Sequence, residues 1–156
     1  MSTQLEWLIG RYISIRPRSE TEIRRYIEQK RKKLSVTDEY VETVIEKFRN
    51  LGYIDDEKFV EALSHSIVTN KAKGKRFLSA KLFQAGVEKE LVTKALKELD
   101  PESVTVAMEK RLRKTERRWE DLDKRMVFAK AYKVLLSAGF SSSEIRPFLD
   151  EWLQKR

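Results

Sequence analysis

The chain has 156 residues, which is enough for one domain with a hydrophobic core or for several small units that share one. Charged residues make up 37% and hydrophobic residues 40%, with only 5 Gly and 3 Pro, a composition that favours helices over sheets, turns and disorder. The absence of cysteine excludes disulfides and thiolate metal sites, and it predicts a reducing, cytoplasmic setting. We therefore expect an all-α protein.

The formal net charge of +8 favours a polyanionic partner, either a nucleic acid or an acidic protein surface, over a neutral small molecule. No segment approaches the roughly 20 apolar residues that span a bilayer. The opening segment MSTQLEWLIG also lacks a basic leader and a long apolar run. We expect no membrane contact and no export.

Capping signals predict where several helices begin. Ser19 and Glu22 have the spacing of a capping box, in which each side chain bonds the backbone N–H of the other residue. Ser141 and Glu144 repeat that spacing. Asp100 stands before a proline, whose missing N–H costs nothing in the first turn of a helix.

Three glycines follow apolar periodic runs, where a left-handed residue commonly ends a helix: Gly52, Gly86 and Gly139. Reading between start and stop signals predicts helices over residues 4–14, 19–33, 37–50, 56–72, 75–85, 88–99, 101–119, 122–137 and 142–154.

Nine helices suggest three groups of three, and the sequence repeats itself accordingly. A shift of 53 residues places Gly139 on Gly86, with leucine on leucine at neighbouring apolar positions. A shift of 51 residues relates VTDEYVETVIEKF to VEKELVTKALKEL. Because one short unit cannot bury its own apolar stripe, we expect three tandem three-helix repeats, 1–54, 55–99 and 100–156, stacked into an elongated, curved array.

The segment LGYIDDEKF places Asp55, Asp56 and Glu57 together at the first junction. In this frame Asp55 or Asp56 caps the next helix, where negative charge also suits the helix dipole. A nuclease that uses both aspartates is the alternative, but a metal site would need further oxygen ligands or a histidine, and His65 is the only histidine. We expect no catalytic residue, no metal and no cofactor.

The same residues carry a family resemblance. RPRSETEIRRYI at 16–27, GYIDDEKFVEAL at 52–63, KGKRFLSAKLFQAGV at 73–87 and AGFSSSEIRPFL in the last unit together resemble the RecX family of recombination regulators. The resemblance implies a protein without enzymatic activity that binds the RecA–single-stranded-DNA filament. It also implies modulation of filament extension, ATP hydrolysis and strand exchange in DNA repair and the SOS response.

Three basic clusters are the candidate RecA- and DNA-binding residues. The first cluster is Arg16, Arg18, Arg24 and Arg25; the second is Lys71, Lys73, Lys75, Arg76 and Lys81; the third is Lys110, Arg111, Arg113, Lys114, Arg117 and Arg118. The alternative to a binding role is that these residues are ordinary solvated side chains on helix surfaces. The second cluster argues against it, because residues 62–87 contain no acid and solubility alone would place Glu four residues from Lys.

Two further questions stay open in the sequence. Trp119, flanked by charge, is either a stacking residue for a partner or a packing residue at a helix end. The clusters also fit a stand-alone DNA-binding protein that needs no RecA. In either case a monomer is expected.

Overall fold

The computed structural model describes residues 3–156, and this part of the chain contains nine α-helices and no β-strand. The all-α prediction is confirmed. The helices are α1 Thr3–Ile15, α2 Glu20–Leu34, α3 Asp38–Asn50, α4 Asp56–His65, α5 Lys75–Gln84, α6 Lys89–Glu98, α7 Pro101–Arg113, α8 Lys124–Ser137 and α9 Ser142–Gln154. Within residues 3–156, no helix is both long and apolar enough to cross a membrane.

The predicted helix over 56–72 changes character partway along. After α4 the chain forms a π-helical turn, Ser66–Asn70, in which the Lys71 N–H donates to the Ser66 carbonyl at 3.0 Å. The wider turn lets the consecutive residues Ile67 and Val68 both be buried. Such turns occur mostly as single interruptions of α-helices, and the 3.6-residue pattern of the sequence does not distinguish them.

The predicted helix over 101–119 also divides. Helix α7 ends at Arg113, and a 3₁₀ turn, Glu116–Trp119, follows it. The Thr115 N–H donates to the Leu112 carbonyl at 2.9 Å, the i to i−3 pattern of a tightened end. This tightening accompanies the burial of Trp119, whose residue is 7% exposed.

Most of the predicted caps are present. The Ser19 hydroxyl accepts the Glu22 N–H at 3.1 Å and the Glu22 carboxylate accepts the Ser19 N–H at 2.9 Å, which completes the capping box. Asp100 accepts the N–H of Ser103 at 3.3 Å. The predicted box at Ser141 is wrong, because its hydroxyl bonds the Glu144 carboxylate at 2.6 Å and caps no backbone N–H.

The three predicted helix-ending glycines are confirmed by positive φ angles of +81° at Gly52, +72° at Gly86 and +96° at Gly139. All three follow the last turn of a helix: α3, α5 and α8 respectively.

Packing divides the chain into two compact units. The first unit comprises the described residues up to Ala62 together with Leu82–Val92, and its core includes Leu5, Ile9, Ile23 and Ile45. The second unit comprises residues 63–81 with 93–156, and its core is built from α7, α8 and α9 around the π-helical turn. The repeat boundaries at 54/55 and 99/100 stay a prediction, since these units follow compactness and not internal symmetry.

In the second unit, α5 begins directly against the end of α8. The backbone N–H of Gly74 donates to the Ala138 carbonyl at 2.9 Å, and that of Arg76 donates to the Gly139 carbonyl at 3.1 Å. A Cβ at position 74 would lie 2.5 Å from backbone atoms of Gly139 and Phe140. Only glycine permits this approach.

In the first unit, α2 begins against the end of α5 in a similar way. The Ser19 hydroxyl donates to the Ala85 carbonyl at 2.5 Å, and the Thr21 hydroxyl donates to the Gly86 carbonyl at 3.2 Å. The Arg25 guanidinium donates to the Gln84 carbonyl at 2.7 Å. These bonds supply partners to carbonyls that a helix end leaves without one.

Replacing Gly74 by alanine is expected to lower the free energy of unfolding by about 2 kcal/mol, because the added methyl group must push two backbones apart. Gly10→Ala is the control, since nothing lies within 4 Å of a Cβ there and alanine favours a helix interior by about 0.5–1 kcal/mol. Urea unfolding followed by circular dichroism measures both changes. Equal effects of the two substitutions would contradict the close-approach argument.

Candidate polyanion-binding site

Asp55 caps the helix that follows it. Its Oδ1 accepts the backbone N–H of Glu57 at 3.0 Å and that of Lys58 at 3.2 Å. The capping prediction is therefore confirmed for Asp55, whose carboxylate satisfies donors of the first turn of α4.

Asp56 has a different partner from the predicted one. Its Oδ1 accepts the backbone N–H of Glu20 at 2.9 Å and so supports the start of α2. Burial raises the pKa of Asp56 above its ordinary value, the Glu20 N–H opposes that rise, and the nearby negative charges of Glu20, Asp55 and Glu88 add to it. Within the part of the chain that the structure describes, no group of three or more acidic or histidine side chains could hold a metal ion.

Two arginines of the first basic cluster are engaged within the first unit. Arg16 pairs with Glu22 at 2.7 Å. The guanidinium of Arg18 lies 3.8 Å from the ring centroid of Tyr12, and its Nε donates to the Tyr12 carbonyl at 3.2 Å. Both side chains would have to leave these partners to bind another molecule.

The other two arginines of this cluster also have internal partners. Arg24 pairs with Glu20 at 3.0 Å and with Glu42 at 2.5 Å. The hydrogen bond with Glu42 is the main cause of a raised pKa of Arg24 and of a lowered pKa of Glu42. Arg25 bonds the Gln84 carbonyl, as described above. This cluster consequently has a structural role within the first unit.

The second basic cluster is far less engaged. None of its five side chains forms an ion pair with a residue in the described range 3–156. Lys71, Arg76 and Lys81 are exposed. The Lys73 and Lys81 ammonium groups lie 3.8 Å and 5.4 Å from the Phe77 ring centroid, so two cations share one aromatic ring on α5. An anion can approach these cations without displacing an internal carboxylate.

The third basic cluster is divided between two roles. Lys110 donates to the Thr69 and Asn70 carbonyls, both at 3.2 Å. Arg111 donates to the Ala72 carbonyl at 3.0 Å and to the Lys71 carbonyl at 2.8 Å. These two side chains bond the carbonyls at the end of the π-helical turn. They thereby connect α7 to the start of the second cluster. The remaining members are exposed: Arg113, Lys114, Arg117 and Arg118.

Helix α8 adds basic residues that the sequence argument missed. Its exposed cations are Lys124, Arg125, Lys130 and Lys133. Residues 124–143 contain no acidic residue. The same feature singled out residues 62–87, so this second acid-free segment could have been recognised from the sequence. Most of the surface of Trp119 packs in the core of the second unit, as the packing interpretation of that residue expects, and a small part stays exposed.

Comparison with known proteins gives a consistent result. Residues 55–96 match the family model described as RecX, second three-helix domain. Proteins named Regulatory protein RecX match from Streptococcus uberis, 27% identical over 83% of this chain and 48% of the relative, and from Listeria monocytogenes, 28% identical over 84% and 47%. The chain thus spans about half the length of the curated relatives it matches.

Solved structures show the same fold. A crystal structure of RecX from Lactobacillus salivarius has a TM-score of 0.82 and 21% identity, covering 99% of this chain and 97% of that one. A second crystal structure of regulatory protein RecX has a TM-score of 0.71 and 24% identity, covering 99% of this chain and 73% of that one.

Asp56→Asn is expected to raise the free energy of unfolding at pH 7. The raised pKa means that ionising this carboxyl costs stability as the pH rises, whereas the amide stays neutral and its oxygen can still accept the Glu20 N–H. Below the ordinary pKa of 3.8 the carboxyl is neutral in both folded and unfolded chains, so the gain should disappear near pH 3.

Urea unfolding at pH 7 and pH 3 measures this difference. Asp56→Ala serves as the control, because it removes the acceptor of the Glu20 N–H and should cost about 1 kcal/mol near pH 3. Its cost should be smaller at pH 7, where the substitution also removes the disfavoured charge. A gain from Asp56→Asn that is the same at both pH values would show that charge is not its cause.

Proposed function

We propose that this chain, which belongs to the RecX family, regulates the RecA recombinase by binding the RecA–single-stranded-DNA filament. The observation that carries the proposal is the second basic cluster. This cluster lies within residues 55–96, the segment that matches the family model. Its cations form no ion pair with any of the described residues.

A nucleoprotein filament suits such a surface because it presents phosphates and acidic side chains over a long distance. Each cation that is already free of a carboxylate can bind an anion without the cost of breaking an internal pair. The principal candidates are the exposed residues Lys71, Arg76 and Lys81. Lys73 and Lys75 are half-buried and are secondary candidates. Four exposed cations of the third cluster extend the same proposed role: Arg113, Lys114, Arg117 and Arg118.

The first cluster has a smaller part in this proposal, because all four of its arginines have partners inside the first unit. Their direct contact with RecA or DNA stays a prediction. Loss of these arginines is expected to affect folding first and regulation as a consequence.

Regulation then requires binding and no chemistry of its own. Several weak contacts on one chain act at high effective concentration once the first has formed, so a modest basic surface can hold neighbouring RecA protomers together. Protomers held in this way would extend the filament, hydrolyse ATP and exchange strands more slowly.

A stand-alone DNA-binding protein is the alternative, and it differs by binding bare DNA as tightly as the filament.

Single-stranded-DNA-dependent ATP hydrolysis by the cognate RecA measures regulation. Lys71→Glu combined with Arg76→Glu is expected to raise the half-inhibiting concentration of this protein about tenfold, which corresponds to about 1.4 kcal/mol of binding free energy. The parent chain should inhibit well below one molecule per RecA protomer. Both replaced side chains are exposed, so the variant should remain folded.

Lys94→Glu with Lys97→Glu is the matched control, because it makes the same change in charge at exposed positions of α6 outside the three clusters. Its half-inhibiting concentration should move by less than about twofold. Equal losses in both variants would mean that only net charge matters. No inhibition by the folded parent chain would overturn the proposal.

A further inference from the structure

We infer that a shallow groove in the second unit binds one nucleotide of a single-stranded nucleic acid. The groove lies between the 3₁₀ turn and α8, and its lining residues are Thr115, Arg118, Trp119, Lys130, Lys133 and Val134. This site shares no residue with the second basic cluster, and it shares Arg118 with the third. It concerns binding of nucleic acid by the chain itself, and it holds whether or not the chain regulates RecA.

The floor of the groove is apolar. Trp119 presents the small part of its surface that remains exposed, and Val134 is partly buried beside it. The space measures about 250 Å³, which is enough for a single flat base. A base covering this floor would remove apolar surface from water on both molecules.

The rim of the groove is strongly basic. Arg118, Lys130 and Lys133 are all exposed, and none of them forms an ion pair with any residue of the described chain. No carboxylate lines the groove, and α8 itself contains no acid. Lys130 and Lys133 lie about one turn apart on the same side of α8, a spacing that suits contacts to neighbouring phosphates.

Three free cations around one apolar floor fit a ligand that joins negative charge to a flat ring, which is the chemistry of a nucleotide. The groove should not distinguish one base from another. The hydroxyl of Thr115 already donates to the Leu112 carbonyl at 3.3 Å, so this donor is occupied. Binding should accordingly show little preference among bases.

The test uses this chain and a fluorescein-labelled oligothymidylate of about 15 nucleotides, without RecA. Lys130→Gln combined with Lys133→Gln is expected to weaken binding about tenfold at low salt. It should also reduce the slope of log affinity against log salt by about 1.4, since each phosphate contact to a single strand contributes about 0.7. Fluorescence anisotropy over a salt series measures both quantities.

Lys94→Gln combined with Lys97→Gln is the matched control, because these exposed lysines have the same spacing on α6. Its affinity and salt slope should stay within about twofold of the parent values. Equal effects of the two pairs would overturn the inference, because binding would then depend on overall charge and not on this groove.

Two further ligands test the floor of the groove. An abasic oligonucleotide of equal length should bind several-fold more weakly than oligothymidylate, because its phosphates meet the rim but leave the floor uncovered. A polyglutamate peptide of equal charge should bind more weakly than both. Equal affinity for the abasic strand, or tighter binding of the peptide, would overturn the assignment to a nucleotide.

Discussion

The structure depends on helix ends that exchange hydrogen bonds. The last carbonyls of an α-helix have no partner within that helix, and the first N–H groups have none either. Here the end of α5 is bonded by side chains from the start of α2, and the end of α8 is bonded by the start of α5. Opposite ends of two helix dipoles thereby meet, an arrangement that is also electrostatically favourable.

The two junctions use different donors, and the difference decides whether a basic side chain is used in the junction. At α2 the donors are side chains, and one of them is the guanidinium of Arg25, a cation of the first cluster. At α5 the donors are backbone N–H groups, because Gly74 lets the two backbones approach. The side chains that surround Gly74 in the KGKR segment are left available for a partner.

Local signals in the sequence were sufficient for most of the helices. Caps and terminal glycines act within a few residues, so Ser19, Asp100 and Gly139 are recognisable from spacing alone. The partner of Asp56 was not predictable in this way, because the Glu20 N–H lies 36 positions away along the chain. Basic clusters were visible, but which cations already bind carbonyls or carboxylates depends on packing that a one-dimensional pattern does not contain.

Two kinds of constraint alternate within the KGK segment, residues 73–75. Position 74 is limited by the distance between two backbones, whereas its neighbours Lys73 and Lys75 form no ion pair within the described residues. A survey of substitutions scored by cellular abundance would therefore see an intolerant position between two permissive ones. Under the proposed function, the same survey scored by regulation of recombination would find all three positions sensitive. Only the pair of surveys would separate the residue that the fold requires from those that the proposed function requires.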